Sequence, residues 1–404
     1  SEAQEIKMGQ EYDPQVIATF GLYEDEDLMA FIQEKGTEMG KISHRPNLAY
    51  HFRILDSPVV NAFAVPGGYL YFTRGILAQF NNEAELIGVL GHEMAHVTAR
   101  HTVSQQSKQQ LGQLLLIGGM IASEEFRQFA DYAMQGMQLL FLKFSRDDES
   151  QSDRIGVQYA SKLQYDGQQM AEFFNVLNEM HSGGDNSPVP TFMSTHPDPA
   201  NRYENVTRYA QQWKDSLNYS EWLVEEDSYL DMIDGMVYGE DPRQGYVDNN
   251  TFFHPEMKFR FPIPSGWKLQ NSPMQVQMAP QDGKALMIFT LAQQKNLDEA
   301  AKTTLEQLNL TSLTTDKTTV NGLPAIAVVS EQVSQNQQTV EEQAIKVVSY
   351  FIDYAGSVYI FHRDSSEPEF HSYFNTFETT MLNFDEMTDS KRLTVKPKQI
   401  KIRQ

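Results

Sequence analysis

The pentapeptide His92-Glu93-Met94-Ala95-His96 lies inside a stretch of helical hydrophobic periodicity and constrains this chain more than any other feature. Residues four apart on a helix lie one turn above each other, so both imidazoles can reach one cation while Glu93 projects beside them. Such a helix must face a second element that brings another donor, which commits the chain around it to a packed core. Asn82 predicts where the helix starts. It stands three residues before Glu85 and just ahead of Leu86, Val89 and Leu90, and a cap Asn accepts one of the helix's orphan N–H groups.

Composition narrows the chemistry. Cysteine is absent, so disulfides, thiolate nucleophiles and Cys-ligated metals are excluded and any metal must be held by His, Asp or Glu. The 32 Lys plus Arg against 54 Asp plus Glu leave a formal charge of −22, which argues against nucleic acid or anionic lipid as the main partner. A length of 404 residues predicts more than one domain. The longest apolar run, at residues 111–122, is interrupted by Gln113 and glycines and falls short of the ~20 residues a membrane-spanning helix needs.

Residues 1–240 read as mostly helical with a small β-sheet. Amphipathic helices are expected over 4–20 and 25–41, and strands over 50–55, 59–65 and 69–73, with Gly67-Gly68 as the hairpin turn between the last two. Asp198-Pro199 reads as a further helix start, and the Gly/Pro/Ser-rich stretch 183–197 reads as loop. After the break at 239–245 the pattern changes to strands over 258–262, 285–292, 325–331, 344–354 and 357–362, with helices over 297–308 and 367–382. The expected fold class is therefore α+β: a mostly helical domain to residue 240, an α/β sandwich-like domain over 246–386, and a basic tail over 387–404 that meets acidic surface elsewhere.

A metal held by two histidines of one helix needs a third protein donor. His101 sits one position too early for an HExxHxxGxxH pattern, and in a continuous helix it would lie about 140° round from His96, so it reads as a packing histidine. Glu149 and Asp153, four apart in the acidic run that follows Ser145, fit a ligand carboxylate and a second carboxylate that holds a ligand histidine by its other nitrogen. A solvated charged face is the alternative for this run.

His92-Glu93-Met94-Ala95-His96, Ser145-Arg146 with Glu149 and Asp153, the segment from Asn61 to Gly68, and Ser194-Thr195-His196-Pro197 with Arg202 follow one another in order. Together they resemble metallopeptidase family forty-eight, the gluzincins that include the CAAX prenyl protease, and most of all its soluble BepA-like periplasmic branch. The resemblance implies one Zn2+ per chain on His92, His96 and Glu149, with Glu93 as general base and Asp153 orienting a ligand histidine. It implies that Asn61, Ala62, Phe63 and Ala64 belong to an edge strand that receives an extended substrate. It gives His196 two alternative roles, a fourth ligand that caps the zinc in a latent state or an oxyanion donor, and places Arg202 near the same site. The apolar, Met-rich residues 111–144 read as core-packing helices, with a lid or interfacial helix as the alternative.

The implied activity is a zinc endopeptidase acting on unfolded or extended proteins in envelope quality control. The alternative is a chaperone or assembly factor with a latent zinc site, working with outer-membrane assembly machinery. The expected location is periplasmic or otherwise extracytoplasmic, with a lipid tether at a cysteine upstream of Ser1 as a further expectation. Membrane contact is expected only through that tether or residues 111–144. Residues 246–386 weakly resemble PsbP-like domains. His254, His362 and His371 there lack useful mutual spacing, so a docking or regulatory role is expected rather than chemistry.

Overall fold

The computed structural model describes residues 1–103, 139–140, 142–182, 190–198, 201–334, 343–365 and 367–403. The apolar run at 111–122, together with Met120, Met134, Met137 and Phe141, lies outside the described residues. Two compact units emerge. One holds the described residues up to Glu240 together with the C-terminal residues from Pro397, and the other spans Asp241–Lys396.

The first unit opens with α1 (Glu2–Phe20), where Ser1 and Gln4 form a capping box, and α2 (Glu26–Ile42), capped by Asp25 accepting from the Leu28 N–H at 3.0 Å. Strands β1 (His51–Leu55), β2 (Ala62–Val65) and β3 (Tyr69–Thr73) form a sheet in the order β1-β3-β2, so β2 is an edge among the described residues. Gly67 and Gly68 turn the β2–β3 hairpin at φ 88° and 93°, a left-handed conformation that glycine adopts without a Cβ penalty. The short helix α3 (Arg74–Leu77) leads to α4 (Glu83–Thr98), which carries His92-Glu93-Met94-Ala95-His96. Its cap is the expected Asn82, whose side chain accepts from Glu85 N–H at 2.9 Å.

Every residue of α4 from Glu83 to Val97 is buried, so this is a central helix. Leu86, Val89, Leu90 and Met94 are fully enclosed, each contributing on the order of 1.5–3 kcal/mol by leaving water. Against it runs α5 (Arg146–Lys162), started by a Ser145/Asp148 capping box, followed by α6 (Gln168–Ser182), α7 (Thr191–Thr195), α8 (Arg202–Leu217) and α9 (Glu226–Ile233).

Two local expectations change. The stretch expected as loop contains α7, because the Phe192 N–H bonds Val60 O at 2.8 Å and its ring is buried, so tertiary contacts override the Pro/Ser composition. The helix expected from Asp198 begins at Arg202 instead, after Asn201 at φ 59°. A left-handed residue cannot continue a right-handed helix.

The basic C-terminal residues do not act as one appendage. Strand β4 (Val237–Tyr238) pairs with residues Lys398–Gln399, which ties the extreme C-terminus to the first unit. Arg392, in contrast, belongs to the second unit, where it pairs with Asp248 at 2.8 Å and lies over the Phe253 ring.

In the second unit a small sheet carries β5 (Tyr246–Asp248), β6 (Thr251–His254) and β7 (Phe259–Pro262). A seven-stranded antiparallel sheet holds β8 (Lys268–Asn271), β9 (Gln275–Ala279), β10 (Ala285–Leu291), β11 (Thr311–Val320), β12 (Leu323–Ser334), β13 (Gln343–Tyr354) and β14 (Ser357–Ser365) in the order β11-β12-β13-β14-β10-β9-β8. Adjacent residues of β13 point to opposite faces. Phe351 packs with Ala300 and Ala301 of α10 (Leu297–Gln307), and Ile352 packs with Phe377 and Met381 of α11 (Glu367–Leu382). The large sheet is thus covered by a helix on each face, and the molecule is α+β. No helix among the described residues is long and apolar enough to cross a membrane.

Candidate metal centre

One group of buried His and carboxylate residues able to hold a metal ion is present among the described residues: His92, His96, Glu149 and His196, with one donor atom from each lying within 4.8 Å of the others. The two histidines of α4 come together through helical spacing alone, their Nε2 atoms 3.0 Å apart. Glu149 arrives from the first turn of α5, its oxygens 3.3 Å from His92 Nε2 and from His96 Nε2. That approach depends on Gly91 and Gly156, where the backbones of α4 and α5 meet without intervening side chains.

His196 follows α7. Its Nδ1 lies 3.0 Å from Glu149 Oε1 and 3.3 Å from His92 Nε2, while its Nε2 lies 3.3 Å from the carbonyl oxygen of Ala62. A carbonyl only accepts, so Nε2 carries the hydrogen and Nδ1 turns its lone pair to the other donors. Four donors of a tetrahedral zinc site stand about 3.3 Å from one another, given metal–ligand distances of about 2.0–2.1 Å. The observed separations of 3.0–3.3 Å fit that arrangement.

The surroundings keep these side chains in place. His92 Nδ1–H donates to Asp153 Oδ1 at 2.9 Å. Arg202 Nη2 donates to the same oxygen at 2.7 Å and to Glu149 Oε2 at 3.2 Å, and Nη1 reaches His196 O at 3.4 Å. Arg202 therefore contacts the carboxylates and the chain at His196, and its guanidinium lies 3.7 Å from the centre of the Phe174 ring. Phe144 stacks on His96 and Phe192 on His196, at 3.9 and 4.3 Å between ring centres.

Burial shapes the charges. It opposes a proton on His92, but Glu149 and Asp153 outweigh it and lift the His92 pKa to about 9. Burial also works to raise Glu149, and His196 and His92 reverse this and hold it well below the usual carboxylate range. Glu93 is fully buried, its pKa is pushed up by desolvation, and neither of its oxygens has a hydrogen-bond partner among the described residues, although Oε1 lies 3.5 Å from His196 Nε2. A buried carboxyl without a hydrogen bond costs stability, even with His196 Nε2 at that distance, so its place beside four converging donors points to a reactant rather than to packing.

Residues 27–210 match the sequence profile of Peptidase family M48. The chain carries a peptidase family M48 domain. The matched segment contains all four converging residues as well as Glu93, Asp153 and Arg202. The beta-barrel assembly-enhancing protease of Yersinia pestis is 27% identical over 309 residues, covering 74% of this chain and 58% of that protein. Its counterpart in Escherichia coli K12 is 27% identical over 237 residues, covering 56% and 47%. The mitochondrial metalloendopeptidase OMA1 of Bos taurus is 29% identical over 167 residues, covering 39% and 32%. The chain spans about half the length of the beta-barrel assembly-enhancing proteases it matches. Among solved structures, cyanobacterial PsbP from Synechocystis aligns at 11% identity and a TM-score of 0.28, over 35% of this chain and 91% of that one.

Each sequence-predicted residue of the M48 domain has a definite place. His92, His96, Glu149 and His196 converge, Glu93 and Asp153 lie against them, and Asn61–Ala64 runs into and along the edge strand β2. Asn61 Nδ2 donates to Leu140 O at 2.7 Å, and Thr195 Oγ1 donates to Asn61 Oδ1 at 3.3 Å. Sequence reasoning missed Phe144, Phe174 and Phe192; the first and last stand just before the motifs at Ser145 and Ser194, whereas Phe174 is remote from every motif and carried no such signal. In the second unit His362 is buried and hydrogen-bonded to Ser349 at 2.8 Å, and His254 Nδ1 accepts from the Met257 N–H, so neither joins a metal group. The side chain of His371 lies outside the described residues.

Proposed function

We propose that this chain is a zinc-dependent endopeptidase, with His92, His96 and Glu149 as the metal ligands and Glu93 as the general base. The observation that carries this reading is the fully buried Glu93 carboxylate next to the converging donors, without a hydrogen bond among the described residues and 3.5 Å from His196 Nε2. Zinc bound there would supply a Lewis acid and an acidified water. Glu93 takes the proton of the attacking water on its carboxylate and returns it to the leaving amine, a role suited to a carboxyl whose pKa is raised by burial. Asp153 fixes the ring of His92, and Arg202 holds the Glu149 and Asp153 carboxylates in place through its Nη2 hydrogen bonds. An extended polypeptide would add to strand β2, with Asn61 oriented by Thr195 at its start, once the contacts that bury Asn61–Val65 give way. Casein cleavage by the purified chain tests the reading. It should be lost with Glu93→Gln and with a chelator, and cleavage that survives Glu93→Gln would refute it.

A resting form in which His196 occupies the fourth position is supported by its Nδ1 lying among the other donors. The same contact favours, as a second reading, an assembly factor or chaperone whose metal site is latent. The bacterial relatives' name, beta-barrel assembly-enhancing protease, supports a role with proteins that assemble as β-barrels; that role would lie in the periplasm, beside outer-membrane assembly machinery. The second unit would serve docking or regulation.

A further inference from the structure

His101 was expected on a different helix face from the metal-binding pair, and the structure puts it elsewhere. Helix α4 ends at Thr98, and Arg100 takes φ 61°, a left-handed conformation rare for a side chain of its size. The reversal is held by Arg100 N–H on Val97 O at 3.2 Å and by Arg100 Nε at 3.2 Å from Glu5 Oε1. It folds His101 back against α4, where its Nδ1 lies 3.1 Å from Nδ1 of His96, both rings buried.

Two imidazole nitrogens this close repel unless one carries a hydrogen. The Nε2 of His96 faces His92 and Glu149, so it keeps its lone pair and Nδ1 carries the hydrogen. His101 Nδ1 is then the acceptor, and its own hydrogen sits on Nε2, which donates to Gln151 Oε1 at 3.0 Å with Asp148 Oδ1 at 3.6 Å. Ser152 Oγ lies 3.3 Å from His101 Nδ1. The arrangement parallels Asp153 on His92. Gln151, Ser152 and Asp153 are consecutive on the helix that also supplies Glu149, so one turn of α5 provides a ligand and holds both ligand histidines from behind.

We propose that His101 is the positioning residue of His96, fixing its ring and its Nε2 lone pair as Asp153 does for His92. The proposal rests on the reading of His92, His96 and Glu149 as a metal site. Groups hydrogen-bonded to a ligand's far nitrogen typically alter metal affinity 10–100-fold. Zinc affinity measured by competition with a chromophoric chelator tests it at the full chain. His101→Leu should bind zinc about 10–100-fold more weakly, and His101→Asn, which keeps a polar atom where Nδ1 stood, should stay within a few fold of wild type. The visible bands of the cobalt-substituted protein should shift in the Leu variant and return in the Asn variant.

Wild-type affinity in His101→Leu, or equal losses in both variants, overturns the proposal while leaving the metal site intact. Failure of the wild-type chain to bind zinc removes the site itself and the proposal with it. Should His101→Leu not fold, Gln151→Ala, at an exposed position, carries the test. A severalfold loss of zinc affinity supports the chain of hydrogen bonds, and an unchanged affinity overturns it.

Discussion

Gly91 and Gly156 place the helices of the metal centre in backbone contact. A Cβ on Gly91 would lie 2.7 Å from the Gly156 carbonyl oxygen, and one on Gly156 would lie 2.8 Å from the His92 amide nitrogen. Neither contact can be relieved by rotating a side chain. The glycine pair therefore sets how far Glu149 stands from the histidines. Gly156→Ala should cost about 1–3 kcal/mol of stability, the usual range for overpacking, and should weaken zinc binding because α5 must move outward. Urea unfolding and chelator competition on the same protein check both, and an unchanged zinc affinity would mean that the helix spacing does not control the site.

His196 closes the donor group, and removing its ring should release a position. His196→Ala is expected to raise the rate of casein cleavage severalfold, with the zinc content retained by the other three ligands. A fall in rate would instead assign His196 to stabilising charge on the substrate oxygen. An unchanged rate would leave it neither role.

Arg202 is buried among Glu149, Asp153 and Phe174, and its burial is tolerated because two carboxylates face it. Arg202→Met keeps the length but leaves those carboxylates without their cation, a change worth about 3–5 kcal/mol for a broken buried pair. Arg202→Lys should restore little, since one ammonium cannot reproduce the guanidinium's contacts with Asp153, Glu149 and His196 O. Denaturant midpoints of the three proteins give the comparison, and a full rescue by Lys would show that charge alone suffices.

Away from the metal centre, Glu85 offers a pH-dependent term. Burial pushes its carboxyl up to about 7, against the opposing hydrogen bond from the Asn81 N–H at 2.7 Å. Because the folded pKa lies above the unfolded value, the folded state holds the proton more tightly between about pH 4.5 and 7. The cost is absent below that window and complete above it, so stability from this group falls as pH rises through it, by up to about 3 kcal/mol. Glu85→Gln should be more stable than wild type at pH 8 and equal to it near pH 4.5. Thermal unfolding across that range checks the slope.

The legible parts of the fold were those written in short-range chemistry. Asn82 capped the helix it was expected to cap, Gly67-Gly68 turned the expected hairpin, and the strands and helices rich in periodic apolar residues appeared within a few positions of their expected ends. Strand β11 was missed because nine of its ten residues are exposed, which leaves no hydrophobic alternation to read. Helix α7 was hidden for the opposite reason. Its sequence is that of a loop, and burial of Phe192 decides its form.

The amino-acid sequence by itself determined that two histidines and a glutamate share one turned surface of a helix, that no cysteine competes for a metal, and that an acidic run with a strong N-cap follows. These depend on spacing along one helix, which propensity and periodicity set locally. Only the tertiary structure decided that Glu149, His196 and Arg202, each dozens of residues beyond that helix in the chain, meet at that surface. It also decided that His101 turns back onto His96 instead of facing away. The physical reason is that these contacts arise where helices may approach without side chains, at Gly91 and Gly156, and where the backbone reverses, at Arg100. Neither is encoded in any single segment's pattern.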